Sequence, residues 1–165
     1  MQSIDLSIAP LDSVPTTPYK TPSDDLHVMY STSKRMEALC VRLKGMGLSA
    51  AQVGLPWRMF VFRSEDPKDL KFKCFFDCEY EPIGDSSSPS VEGCLSLPGQ
   101  RFVVRRFERV QVRGFELVEG AEGPVSEPFS LPYEGIAAVL MQHEIDHDHG
   151  RERMIDKIGE RVSLS

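Results

Sequence analysis

The sequence predicts a single α+β domain in which mostly antiparallel strands pack around a late, metal-binding helix. Three observations predict it. Segments near residues 23–45 and 132–148 repeat apolar residues at helical spacing. Between them lie stretches rich in aromatic and β-branched residues, or alternating in polarity, that read as strands. Three of the four histidines fall in "LMQHEIDHDHG", residues 140–150, on the second helical segment.

Each element has its own warrant. Residues 1–22 contain Pro10, Pro15, Pro18 and Pro22 and read as an extended arm. A helix follows, with Ser23 as N-cap, Met29, Met36, Leu39, Cys40 and Leu43 on its apolar face, and Gly45 as its stop. "MFVFR" (59–63) and "KFKCFFDCEY" (71–80) read as strands, and "PIGDSSSPS" (82–90) as a turn-rich loop. "RFVVRRFERVQVRGFEL" (101–117) alternates around Val110 and Val112 and reads as one strand with a solvated face. "VEGAEGP" is a hairpin-type connection and "VSEPFSL" its short partner strand. The late helix runs from about Pro132 to Asp148, with Gly150 just past its end. No repeat or linker divides the chain, so residues 1–165 are expected to form one domain.

Composition narrows the function classes. The chain carries 19 Lys+Arg against 25 Asp+Glu, a net charge of −6, which gives no electrostatic reason to expect nucleic acid or an anionic membrane as partner. No uncharged apolar run approaches the ~18 residues of a membrane span. The segment "MQSIDLSIAPLDS" has Asp5 early and no basic stretch, unlike a secretory signal. Cys40, Cys74, Cys78 and Cys94 make no Cys-x-x-Cys pair, so a reducing cytoplasm is the default; there a lone cysteine binds metal, acts in catalysis or is simply buried.

The late helix carries the chemistry. Ile136, Val139, Leu140, His143 and His147 are spaced 3, 1, 3 and 4, which places both histidines on an apolar stripe facing the core. Imidazoles at i and i+4 can grip one side of a metal, and the adjacent Glu144 can serve as general base. His149 falls off that face and is expected to be solvated at a frayed end. Asp146 is a candidate supporting or capping group, and Asp148 a solvated charge. The third ligand is open at this point. Glu152 and Glu160 lie downstream. Upstream, Cys94 sits in "VEGCLSLPGQR", a tight uncharged setting that suits a metal-bound thiolate or an ordinary buried cysteine. In "GMGLSAAQVGLP" (45–56) glycines allow close backbone approach, and Gln52 is the one polar head; no Lys-Ser/Thr follows, so this is not a phosphate loop. Two further classes are compatible with these residues. An endopeptidase would take Glu152 or Glu160 as ligand and leave Cys94 dispensable. A non-enzymatic metal module would need four protein ligands, for example through His149, and no general base.

Taken together, "GMGLSAAQ" (45–52), "EGCLS" (92–96) and "HEIDH" (143–147), in this order and at these separations, resemble the peptide deformylase family. The resemblance runs from about Leu43 to Asp156 and includes "GQRFVVRRFERVQVRG" after the cysteine motif. It implies a deformylase-like fold and a hydrolase that removes the formyl group from formyl-methionine at the start of newly made polypeptides. It implies one divalent metal held by Cys94, His143 and His147, typically Fe²⁺, with Zn²⁺, Ni²⁺ or Co²⁺ able to take the site. Glu144 matches the general acid/base, and Gln52 with the Leu95 N–H matches the oxyanion donors. Gly45, Met46, Gly47 and Gly93 fall where the family pairs its backbone with an extended peptide. Arg101, Ile136, Val139 and Leu140 fall near the pocket for the methionine side chain. A monomer acting on nascent chains, with the ribosome as a place of encounter, is the corresponding expectation.

The chain departs from the family pattern in places. Ser49 and Ala51 replace an Ala and a Pro of the first motif, Asp148 stands where an apolar residue is usual, and "GRERMID" replaces a more apolar exit. The first forty residues match weakly. The chain ends soon after Asp156, which suggests a short C-terminus form of the family.

Overall fold

The computed structural model describes residues 6–10, 14, 21–22, 24–64, 71–149 and, as backbone, 160–162. Ser23, Gly150, Glu152 and most of the arm lie outside the described residues.

Helix α1 spans Leu26–Arg42 and is capped by Asp25 rather than by the expected Ser23; the Asp25 carboxylate accepts from the amides of His27 (2.9 Å) and Val28 (3.3 Å). Lys44, not Gly45, takes the left-handed conformation after the helix, with φ of 58°. Next come β1 (Gly47–Ser49), a 3-10 turn over Ala50–Val53, β2 (Met59–Arg63) and β3 (Phe72–Pro82). β4 (Ser87–Cys94), β5 (Leu97–Phe107), β6 (Arg109–Gly120) and β7 (Gly123–Glu134) follow, then α2 (Gly135–Asp148) and β8 (Glu160–Val162).

The strands form two antiparallel sheets. One has five strands in the order β1-β2-β3-β6-β7, and the other three in the order β4-β5-β8. The helices cover opposite faces of the larger sheet. Met29, Met36, Leu39 and Cys40 of α1 pack with Met59, Val61, Cys74 and Leu117. Ala138, Met141 and Ile145 of α2 pack with Phe60, Phe62, Phe75, Val110 and Val112. β2 thus alternates between two cores, which is why "MFVF" reads as unbroken hydrophobicity. A bulge between Phe76 and Glu79, with Asp77 at φ of 49°, changes which face β3 presents. Phe76 packs on the α1 side and Cys78 on the α2 side.

Four expectations are corrected. Pro132 pairs with Gln111 inside β7, and α2 begins three residues later at Gly135. Ladder pairing along the whole of β6 outweighs the proline's suitability for a helix start, and β7 is an edge strand, where proline is tolerated. For the same reason the strand expected over Val125–Leu131 is longer, Gly123–Glu134. "PIGDSSSPS" is only partly a loop, since Ser87 onward is the edge strand β4. The long segment 101–117 is two strands in different sheets, broken at Glu108. Its solvated face is present in β6, where Val110 and Val112 are buried between more exposed neighbours.

Candidate active site

The site forms where α2 meets the end of β4 and the 3-10 turn. His143 and His147 stand one turn apart on α2 with their Nε2 atoms 3.2 Å apart. Cys94 closes β4, and its Sγ lies 3.5 Å from His147 Nε2. All three donor atoms lie within 4.8 Å of one another. Tetrahedral coordination with bonds of ~2.3 Å to sulfur and ~2.0–2.1 Å to nitrogen implies donor separations of about 3.3 Å (N to N) and about 3.6 Å (S to N), close to the 3.2 and 3.5 Å found. The donor set therefore fits one divalent ion.

The surroundings fix these donors. Glu92 Oε1 lies 2.9 Å from His143 Nδ1, which directs Nε2 toward Cys94 and His147. Arg106 holds Glu92 with two bonds, 2.9 Å from Nε and 2.7 Å from Nη2, and its Nη1 reaches Asp146 at 2.6 Å. Tyr80 donates to the other Asp146 oxygen at 3.0 Å. Burial alone would raise the Glu92 carboxyl, but the bonds from Arg106 and His143 hold it down at about 2. Burial would likewise raise the Cys94 thiol, but the His147 charge and bonds to both histidines bring it to about 5. For His143 burial opposes the charged form, and the bonds to Cys94 and Glu92 outweigh it. A thiolate poised this way is the form that binds metal.

Glu144 is 3 % exposed, and burial raises its pKa. Its Oε2 has no hydrogen-bond partner among the described residues. Its Oε1 lies against Gly47, where an added Cβ would sit at 2.7 Å, so a side chain at that position would displace the carboxylate. Gln52 is 2 % exposed. Its Nε2 donates to Ser96 Oγ at 3.1 Å and toward Cys94 Sγ at 3.4 Å, and its Oε1 accepts from the Ser49 amide at 3.0 Å. Leu95 and Ser96 form the turn between β4 and β5, beside Cys94.

Other expected site residues spread more widely. Ile136 is 67 % exposed and, with Val139, lines an open groove of about 630 Å³ shared with Ser88–Ser90 and Phe107. Leu140 packs on the α2 core. Met46 is exposed. Arg101 is exposed on β5, with its guanidinium beside Gly93 of β4. The expected core-facing stripe is corrected. The buried apolar face of α2 is Ala138, Met141 and Ile145, and the histidines project from an adjoining face toward Cys94. Asp148 is not solvated but 1 % exposed, bonded to Ser49 Oγ at 3.0 Å. His149 is half-buried at the helix C-cap and is not among the clustered donors. Asp146 is a buried partner of Arg106. Sequence reasoning passed over Glu92, Arg106, Tyr80 and Ser96. Glu92 lies inside the quoted "EGCLS", but nothing local marks Arg106, whose partners are distant in the chain.

A buried helix presenting two histidines and a glutamate to a cysteine from a neighbouring strand defines a metal-dependent hydrolase of the His-Glu-x-x-His type. The family model for polypeptide deformylase matches residues 12–162, and the chain belongs to that family, metal-dependent hydrolases that remove the N-terminal formyl group of newly made polypeptides. The peptide deformylase of Azotobacter vinelandii is 36% identical over 107 residues, covering 65% of this chain and 59% of that protein. That of Chromohalobacter salexigens is 29% identical over 164 residues, covering 93% of this chain and 85% of that protein. Among solved structures, the Synechococcus elongatus peptide deformylase in complex with actinonin superposes with a TM-score of 0.77 at 26% identity, covering 96% of this chain and 82% of its own. The Thermotoga maritima peptide deformylase gives 0.76 at 25%, covering 94% and 98%.

Proposed function

We propose that this chain releases formate from the formyl-methionine end of nascent polypeptides, with one divalent ion, natively Fe²⁺, held by Cys94, His143 and His147. Zn²⁺, Ni²⁺ or Co²⁺ would take the same donors. When bound, the ion supplies Lewis acidity, which eases deprotonation of water and polarises the carbonyl under attack.

The chain's own groups do the rest. The Glu144 carboxylate accepts a proton from the attacking water, whose oxygen bonds to the formyl carbon. The Gln52 Nε2 and the Leu95 N–H donate to the carbonyl oxygen as it gains charge. The C–N bond then breaks, and Glu144 returns the proton to the leaving nitrogen, leaving formate and a free methionine amine. Gly45, Met46, Gly47 and Gly93 present backbone to the extended peptide. Ile136, Val139, Leu140 and Arg101 surround the methionine side chain. The enzyme acts as a monomer in the cytoplasm and meets its substrate at the ribosome.

The observation that carries this reading is the buried Glu144, whose Oε2 has no hydrogen-bond partner among the described residues, beside three converged donors of metal-binding spacing. The test is formate release from formyl-Met-Ala-Ser with and without chelator. Chelation should abolish turnover, and added Fe²⁺ or Ni²⁺ should restore it. Turnover that survives full metal removal would overturn the proposal. Cys94→Ala should lose most of its metal, because two imidazoles alone bind far more weakly; near-stoichiometric metal in that variant would revive an endopeptidase with another third ligand.

A further inference from the structure

One buried side-chain bond joins the end of α2 to the turn that carries Gln52. Ser49 Oγ donates to Asp148 Oδ1 at 3.0 Å, and the two residues are 0 % and 1 % exposed. Ser49 then makes two bonds inside its own turn. Its hydroxyl accepts from the Ala51 amide at 3.3 Å, and its amide donates to Gln52 Oε1 at 3.0 Å. That last bond decides which way the Gln52 carboxamide faces. With Oε1 engaged, Nε2 points to Ser96 Oγ and Cys94 Sγ. A flipped amide would set its NH₂ against the Ser49 N–H, donor against donor.

Asp148 is an unusual group to bury here. Its Oδ2 has no hydrogen-bond partner among the described residues. A carboxyl group buried with one oxygen unsatisfied is unfavourable in itself, and an apolar residue would avoid that cost. What the group does make is the bond that anchors Ser49, one residue beyond His147. We propose that Asp148 is a positioning residue: through Ser49 it ties the metal-binding helix to the 3-10 turn and holds the Gln52 carboxamide with its NH₂ toward Cys94. The consequence for catalysis rests on the reading of Gln52 as an oxyanion donor.

The experiment is steady-state kinetics on formyl-Met-Ala-Ser with the metal-loaded enzyme, for Asp148→Leu and Asp148→Asn in the parent and in a Gln52→Leu background. Asp148→Leu should lower kcat about tenfold, part of the ~10²–10³ expected when an oxyanion donor is removed outright. KM should stay within about twofold and metal content should be unchanged, since neither substrate nor metal contacts are altered. Asp148→Asn keeps an oxygen for Ser49 and should recover kcat to within about threefold of the parent. In the Gln52→Leu background, Asp148→Leu should change kcat by less than about twofold, because the pair acts as a unit. An equal loss in both backgrounds, or no loss in the parent, overturns the proposal. Should Asp148→Leu fail to fold, Ser49→Ala breaks the same link and takes its place. If Gln52→Leu itself left kcat unchanged, the oxyanion reading would fail. The positioning claim is then decided by the Gln52 side-chain amide resonances. A shift in Ser49→Ala and Asp148→Leu, but not in Asp148→Asn, upholds it, and no shift in any variant overturns it.

Discussion

The two helices sit on opposite faces of one sheet and are built to opposite rules. The buried side of α1 consists of Met29, Met36, Leu39 and Cys40 with the small polar Thr32 and Ser33, whose hydroxyls bond back to Val28 and Tyr30 carbonyls. The buried side of α2 includes Gln142, Glu144, Asp146, His147 and Asp148. Taking such groups out of water is unfavourable unless each finds a partner. Most do: Gln142 bonds the Phe107 backbone through both its oxygen and its nitrogen, and Asp146 bonds Arg106 and Tyr80. Two atoms of α2, Glu144 Oε2 and Asp148 Oδ2, have no hydrogen-bond partner among the described residues, and their residues lie four positions apart. α1 therefore contributes stability, and α2 gives some of it up by keeping charged and polar groups buried.

That contrast can be broken from either side. The largest effect belongs to Glu144→Ala, which should fold, keep its metal and lose ~10²–10⁴ in kcat, the usual worth of a general acid/base. Removing a buried carboxylate whose Oε2 has no partner among the described residues should also leave thermal stability unchanged or raised. A clear fall in Tm would mean that α2 depends on Glu144 structurally.

Next is Arg106→Ala, which takes the guanidinium away from the buried carboxylates of Glu92 and Asp146 and should cost about 3–5 kcal/mol in urea unfolding. The same cluster sets an acid limit. Glu92 titrates at about 2 in the folded protein, below the ordinary 4.5. Its contribution is then fully present above pH 4.5 and is lost as pH falls toward 2. Acid unfolding of metal-free wild-type protein should deepen across that window, and Arg106→Ala should flatten it.

On the opposite face, Met36→Ala removes a side chain that is 0 % exposed and should cost about 2–5 kcal/mol. Per folded molecule its kcat should match the parent's. A loss of kcat as large as that of Glu144→Ala would erase the division of labour between the helices. The smallest effect is expected at the α1 cap. Asp25→Ala removes the acceptor for the His27 and Val28 amides and should cost about 0.5–2 kcal/mol, read from the shift in Tm.

Much of this was legible along the chain. Helical spacing marked both helices, and "HEIDH" carried two candidate donors and a candidate base within five residues, while Cys94 could be preferred to Glu152 or Glu160 only through the family resemblance of "GMGLSAAQ", "EGCLS" and "HEIDH" taken together. Local signals failed where distant pairing decided the outcome. The β6 ladder drew Pro132 into a strand, and edge pairing with β5 turned the serine-rich segment into β4. The face of α2 was misjudged because helical spacing shows which residues align, not which aligned row meets the core.

What the sequence by itself determined is the set of reactive groups and the short spacings between them, because i and i+4 on a helix or neighbours in a tight turn meet whatever the rest of the chain does. Only the tertiary structure decided how those groups are held. Arg106 reaches Glu92 and Asp146 from 14 and 40 residues away, and Ser49 reaches Asp148 across 99. No local pattern encodes such contacts. They arise when two sheets and two helices bury their apolar faces together, and the polar groups caught between must find whichever partners that packing brings within reach.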